Sequence, residues 1–138
     1  MITIKKQEIV KLEDVLHLYQ AVGWTNYTHQ PEMLEHALSH SLVIYLALDG
    51  AAVVGLIRLV GDGFSSVFVQ DLIVLPIYQR QGIGSALMKE ALKDYKDAYQ
   101  VQLVTEETEK NVGFYRSMGF EILSTYNCIG MTWANREK

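Results

Sequence analysis

In the middle of the chain the apolar pattern changes from helical to strand-like. It stays so through three runs, Leu42–Leu48, Ala52–Val60 and Ser66–Leu75, separated only by Asp49-Gly50-Ala51 and by the turn opening with Gly61-Asp62-Gly63. Connections this short leave consecutive strands one arrangement, antiparallel, because a parallel pair needs a crossover of about a dozen residues or more. Asp-Gly between two apolar runs is a hairpin signal in its own right. Pro76 ends the third run, having no N–H to give to a ladder. Three antiparallel strands are therefore the centre around which the other segments must fit.

The flanks supply the helices. Leu12, Val15, Leu16, Leu18, Tyr19 and Val22 recur at helical spacing, with Gly23 as the stop. Pro31 suits the first turn of a second, short helix with Met33, Leu34, Ala37 and Leu38 on its buried face. Between these two, Trp24 to Thr28 reads as a loop rich in aromatics and hydroxyls. A long helix is expected from about Gln81 to Tyr95, with Ile83, Ala86, Leu87, Ala91, Leu92 and Tyr95 inward, and another from Thr108 to Met118, closed by Gly119. Ile2–Lys5 and Gln100–Thr105 are further strands, and Phe120–Thr125 with Cys128–Trp133 is expected as a final antiparallel pair. The strand–helix–strand passage from Leu75 to Val101 permits a parallel pair. The expected class is α+β (α/β mixed): a mostly antiparallel mixed sheet with helices on both faces.

A chain of 138 residues buries about 68% of its unfolded surface, which needs no disulfide or metal staple and fits one domain, 1–138. With 49% hydrophobic and 20% charged residues, disorder is excluded. The longest apolar stretch, Leu42–Leu48, falls far short of the ~18–20 residues that cross a bilayer, and Lys5, Lys6 and Glu8 interrupt any leader-like apolar region. A single cysteine, Cys128, permits no internal disulfide, so a reducing, cytoplasmic location is expected. The net charge of −4, with basic residues scattered, argues against a nucleic-acid partner. Membrane association is likewise not expected, and a homodimer is left open.

The stretch Val69-Gln70-Asp71-Leu72-Ile73-Val74-Leu75-Pro76-Ile77-Tyr78-Gln79-Arg80-Gln81-Gly82-Ile83-Gly84-Ser85 carries the chemistry. A strand ends at a proline, a polar turn follows, and two glycines open a long helix. First-turn N–H groups have no intrahelical partners, and the helix dipole adds about half a positive charge there, so the segment is an anion cradle. Gly82 and Gly84 remove the Cβ atoms that would hold a diphosphate off the backbone. The pattern is neither a dinucleotide fingerprint nor a P-loop. Gly-x-Gly alone is also what a structural tight turn uses.

Gln79-Arg80-Gln81-Gly82-Ile83-Gly84 matches the [RQ]-x-x-G-x-[GA] signature of the GCN5-related N-acetyltransferase (GNAT) superfamily, which the chain resembles. Leu72-x-Val74 and Phe114-Tyr115-x-x-x-Gly119-Phe120 match its other landmarks in order, and the element order follows that fold along nearly the whole chain. The resemblance implies a central pair of splayed parallel strands, acetyl-CoA as cosubstrate, and an N-acetyltransferase working by direct attack of an amine on the thioester. It implies that the backbone of Leu72, Ile73 and Val74 meets the pantetheine arm, and that the amides of Arg80, Gln81, Gly82, Ile83, Gly84 and Ser85 meet the diphosphate. Arg80 reads equally as a phosphate contact and as a solvated surface charge. Thr108 and Asn111 are candidate contacts to the cofactor arm, although the asparagine usual in the family stands one turn earlier than Asn111, at the position of Thr108. Thr108 reads also as an N-cap.

Thr108, Asn111 and Tyr115 share one helix face at i, i+3 and i+7. A phenol with a pKa near ~10 stays protonated at neutral pH and can donate to a thiolate whose conjugate acid lies near ~8.5, which makes Tyr115 the candidate acid. An amine with a lysine-like pKa near ~10.4 must lose a proton before attack. Where the family often carries a glutamate this chain has Gln70, so Asp71 is the nearest candidate base, with Glu106 and Glu107 as alternatives. Trp24, Thr25 and Tyr27 fall where the family places its acceptor loop, against a small-molecule or peptide amine, or else simply cover the core. His17, His29, His36 and His40 show no metal-ligand spacing, and no metal is expected. Met88, Met118 and Met131 read as core filler. Two other readings stand beside the enzyme: a non-catalytic CoA-binding sensor or interaction module, and an acyltransferase with a longer acyl donor.

Overall fold

Four strands, β1 (Ile2–Gln7), β2 (Val43–Asp49), β3 (Ala52–Gly61) and β4 (Ser66–Val74), each run antiparallel to the next, and β5 (Gln100–Leu103) adds parallel to β4. The sheet order is β1-β2-β3-β4-β5. The structure is a computed structural model that describes residues 1–134. It divides into two compact units, Met1–Leu103 and Val104–Lys138.

In the first unit the hairpin forms at the expected place. Gly50 takes φ 61°, which a primed two-residue turn demands of its first central residue. Side chains of adjacent positions point to opposite faces, so Leu46, Leu56 and Ile73 face one way and Tyr45 and Ile57 the other. The first face is covered by α1 (Leu12–Ala21), α2 (Thr25–Thr28) and α3 (Pro31–Ser39). Val15, Leu18, Tyr19, Tyr27, Leu34 and Leu38 there close on Ile44, Leu46, Leu56 and Ile73. Each such aliphatic side chain contributes about 1.5–3 kcal/mol on burial. The second face takes α4 (Ile83–Asp94), which buries Ile83, Leu87, Met88 and Ala91, and Tyr45 Oη donates to Asp94 Oδ2 at 2.5 Å. Gly55 makes this packing possible: a Cβ there would stand 2.9 Å from the Ile73 carbonyl oxygen and 3.4 Å from Leu87 Cδ1.

The stretch after Gly23 is not the loop expected from its composition. Tyr27 N–H and Thr28 N–H both return to the Trp24 carbonyl, at 3.0 and 3.1 Å, and α2 forms. Its driving force is Tyr27, buried edge-on against Tyr19 with ring centroids 5.0 Å apart. Met33 is exposed rather than inward, because Leu34 and Leu38 take the buried stripe of α3. The long helix begins at Ile83, since Gly82 at φ 80° lies outside helical space.

In the second unit, α5 (Glu109–Ser117) is capped by Thr108 and stopped at Gly119, φ 97°. The expected final antiparallel pair is absent among the described residues. A 3-10 turn forms instead over Leu123–Tyr126, Asn127 turns left-handed at φ 61°, and Cys128 N–H returns to the Leu123 carbonyl. A strand pair needs one face to bury, and Ile129, Met131 and Trp133 are all exposed here. Met131 is therefore not core filler; Met88 is, fully buried on the inner face of α4.

Candidate functional site

The ladder between β4 and β5 covers only Ser66–Val69 against Gln100–Leu103, after which β5 ends and β4 runs on to Val74. Where they part, β4 carries a bulge. Arg58 pairs with Asp71 and Leu59 with Val69, leaving Gln70 as the extra residue. A bulge bends and twists its strand, here at the place where β4 loses its parallel partner. Strand geometry then decides which backbone groups face the open side. Leu75 N–H donates to the Val54 carbonyl, so Ile73, of the same parity, is turned to β3 as well. Leu72 and Val74 are turned to the open edge. Ile73, the middle of the expected trio, turns its backbone groups to β3 and its side chain into the core. The Val74 carbonyl is already met by Gln79 Nε2 at 3.0 Å.

Past Leu75 the chain makes a 3-10 turn at Pro76–Tyr78 and enters α4 through two left-handed residues, Arg80 at φ 65° and Gly82 at φ 80°. A left-handed arginine costs roughly 1–2 kcal/mol, so the turn imposes this conformation on it. The first bond of the helix runs from Ala86 N–H to the Gly82 carbonyl at 3.0 Å, leaving the amides of Ile83, Gly84 and Ser85 ahead of the ladder. A Cβ on Gly82 would have nothing within 4 Å, so the space before the helix is open. Arg80 and Gln81 are exposed beside it. Left-handed residues in a turn before a helix N-terminus are the parts from which anion nests are made.

On the α1–α3 face Asp71 is 2% exposed. Its Oδ2 accepts from Arg58 Nε at 2.7 Å and Tyr19 Oη at 2.8 Å, and its Oδ1 accepts from Tyr27 Oη at 2.9 Å. Burial, and then the Asp71 charge, push the Tyr19 and Tyr27 phenols upward. Burial is the largest influence on Arg58 and opposes its charge, but Asp71, Tyr19 and Tyr27 together outweigh it, and the guanidinium is held more firmly protonated. Both carboxylate oxygens are thus committed to buried donors, an arrangement that anchors α1 and α2 to β4. Trp24 and Tyr27 of the expected acceptor loop belong to the same packed cluster, and Thr25 is exposed.

The remaining candidates lie in the second unit. Thr108 Oγ1 accepts from Asn111 N–H at 3.1 Å, and Asn111 Nδ2 turns back to the Glu106 carbonyl at 3.2 Å. Both side chains are engaged at the start of α5. Tyr115 is half-buried between the rings of Phe114 and Phe120, with centroids at 5.0 and 6.0 Å. Burial raises its phenol pKa, and a hydrogen bond from Thr105 works in the opposite direction. His36 and His40 are joined through a backbone carbonyl, His40 Nδ1 standing 2.8 Å from the His36 oxygen, and no cluster of metal-binding side chains occurs among the described residues.

Sequence reasoning passed over Arg58 and Gly55, and took Tyr19 only as an apolar position of its helix. A signal for the first was present: Arg58 is a lone charge inside an apolar strand, as Asp71 is in the next. Two opposite lone charges in neighbouring buried strands have to meet, because neither can be buried alone.

Residues 40–122 match the family model described as acetyltransferase (GNAT) domain. A solved GNAT-family acetyltransferase from Streptococcus pneumoniae TIGR4 superposes with a TM-score of 0.92 at 87% identity, over 99% of this chain and 100% of that one. Serotonin N-acetyltransferase 2, chloroplastic, of Oryza sativa subsp. japonica is 33% identical over 95 residues, 66% of this chain and 48% of that protein. The chain therefore spans about half the length of that relative. The PaiA N-acetyltransferase of Thermoplasma acidophilum, solved in complex with coenzyme A, shares the fold at a TM-score of 0.67 and 20% identity, over 87% of this chain and 91% of that one.

Proposed function

The chain belongs to the GNAT acetyltransferase family, and from that premise we propose that it is an acetyl-CoA-dependent N-acetyltransferase acting on a primary amine of a small molecule or peptide. The observation that carries this reading is the pairing of an open strand edge at Leu72 and Val74 with a glycine-opened helix start a few residues on. An extended amide-bearing arm suits the first, and a diphosphate suits the second, since the space in front of Gly82 is open and the adjacent amides are unspent. Acetyl-CoA supplies an activated thioester carbonyl.

This chain's own residues then divide the work. Backbone N–H groups of β4 hold the arm and polarise the thioester oxygen; oxyanion donors of this kind are worth about 3–4 kcal/mol each in other enzymes. The amides of Ile83, Gly84 and Ser85 hold the diphosphate. Tyr115, in the second unit, takes the role of the acid that protonates the departing thiolate on the strength of the family resemblance of Phe114-Tyr115-x-x-x-Gly119-Phe120. Asp71 is assigned a positioning role, and the amine loses its proton to solvent before it attacks. Glu106 and Glu107 are not needed as bases in this scheme.

Free-thiol release tests the reading. The substrates are acetyl-CoA and a longer acyl-CoA, offered with serotonin (the amine in the rice relative's name), a polyamine, lysine and a peptide N-terminus. Amine-dependent release faster with acetyl-CoA supports it. Faster release with the longer donor replaces it with a different acyl transfer, and tight acetyl-CoA binding with no release from any amine replaces it with a binding module.

A further inference from the structure

The hydrogen-bond inventory around Tyr27 leaves its hydroxyl one orientation. Arg58 is 4% exposed and carries only donors. Its Nε goes to Asp71, its Nη1 to Ser41 Oγ at 3.2 Å and the Ala37 carbonyl at 3.4 Å, and its Nη2 to Tyr27 Oη at 3.2 Å. Gln70 Nε2 also donates to Tyr27 Oη, at 3.4 Å. Tyr27 oxygen thus accepts twice, and its single proton goes to Asp71 Oδ1 at 2.9 Å. Turning the Gln70 amide over would set its oxygen against a hydroxyl with no proton left to give, so the orientation with Nε2 inward is the consistent one.

Of the three partners of this hydroxyl, Arg58 and Asp71 are buried and fixed. Gln70 is exposed, sits in the bulge where β4 opens, and makes the longest contact. We infer that Arg58 and Asp71 are positioning residues that hold the Tyr27 hydroxyl as a fixed hydrogen-bond acceptor for an N–H of the acceptor amine, in the place Gln70 Nε2 fills here. The inference rests on the acetyl-transfer reading and adds to it a polarity: the acceptor side receives a donor, and the carboxylate acts through the phenol without taking the proton. An amine approaching the bulge displaces the inward amide of an exposed residue at the outer limit of hydrogen-bond length, and no buried pair is broken.

Steady-state kinetics on the full chain test it, with acetyl-CoA and whichever of serotonin, spermidine, lysine and a peptide N-terminus the wild type acetylates fastest. Tyr27→Phe keeps the ring packed on Tyr19 and removes only the hydroxyl. Its KM for the amine is expected to rise about tenfold, the effect of roughly 1.4 kcal/mol, while kcat and the KM for acetyl-CoA stay within about twofold. A folded Tyr27→Phe variant with an unchanged amine KM overturns the inference. Loss of the phenol leaves Asp71 one donor short, so Gln70→Ala provides a second arm on an exposed position. Removing the stand-in donor is expected to lower the amine KM, and a rise or no change overturns the inference. A wild type that acetylates none of the four amines removes the acetyl-transfer reading and this inference together, whereas an active wild type with an indifferent Tyr27 removes this inference alone.

Discussion

At Asp71 one carboxylate answers a guanidinium and two phenols, and that company decides what the residue can do. Breaking a buried pair of this kind costs about 3–5 kcal/mol, so Asp71→Asn is expected to lower the midpoint of thermal unfolding. Its pH–rate profile separates the two roles open to it. A base would lose kcat/KM most at low pH, where free amine is scarce. A positioning residue raises the amine KM by a similar factor at every pH, which is the result expected here. Tyr115→Phe is the complementary test: acetyl-CoA affinity should hold, and single-turnover rate should fall by about 10²–10⁴-fold, as for general acids elsewhere. An unchanged single-turnover rate makes Tyr115 a packing residue. A motif surrounds Tyr115 and the glycines, and that is why the sequence singles them out as candidates. Arg58 shows only as a lone charge in an apolar strand; its partner, thirteen residues on, is fixed by a register that only pairing reveals.

Among the elements, the entry to α4 is where local conformation and binding are one property. Gly82 at φ 80° permits a backbone that a branched residue resists whatever the space around it. Gly82→Val is expected to keep the sheet, as judged by circular dichroism, and to weaken acetyl-CoA binding in a calorimetric titration. Unchanged affinity in the folded variant would take the cradle out of the account. The central strands and long helices were legible because each has its own period and its own stop signal. Two segments were misread for one reason, that burial overrides local pattern. Trp24–Thr28 has loop composition but gains a helix from burying Tyr27, and Cys128–Trp133 has strand alternation but no face to bury.

For the whole molecule, the tyrosines set an alkaline limit. Tyr19, Tyr27 and Tyr45 have raised pKa values, burial being the largest cause in each, followed by Asp71 for the first two and Asp94 for the third. The unfolded chain ionises these phenols near pH ~10 while the fold keeps them protonated, so the stability they confer is complete below pH ~10 and is lost as pH rises beyond it. Absorbance at the phenolate band should show some of the eight tyrosines titrating only together with loss of the circular-dichroism signal. Reversible titration of all eight near pH ~10 in a folded protein would contradict this. Apart from α2, the order of elements was legible across the first unit because short connections leave few topologies, whereas the buried polar cluster joining α1, α2, α3, β3 and β4 left no trace in periodicity. The central claim, acetyl transfer to an amine nitrogen, is met most directly by mass spectrometry of the amine after incubation with acetyl-CoA, alongside free-thiol counting. The account predicts one N-acetylated product molecule for each thiol released, at a rate well above the reaction without protein. Acetyl-CoA bound but no acetylated amine formed, or thiol released without product, would contradict it.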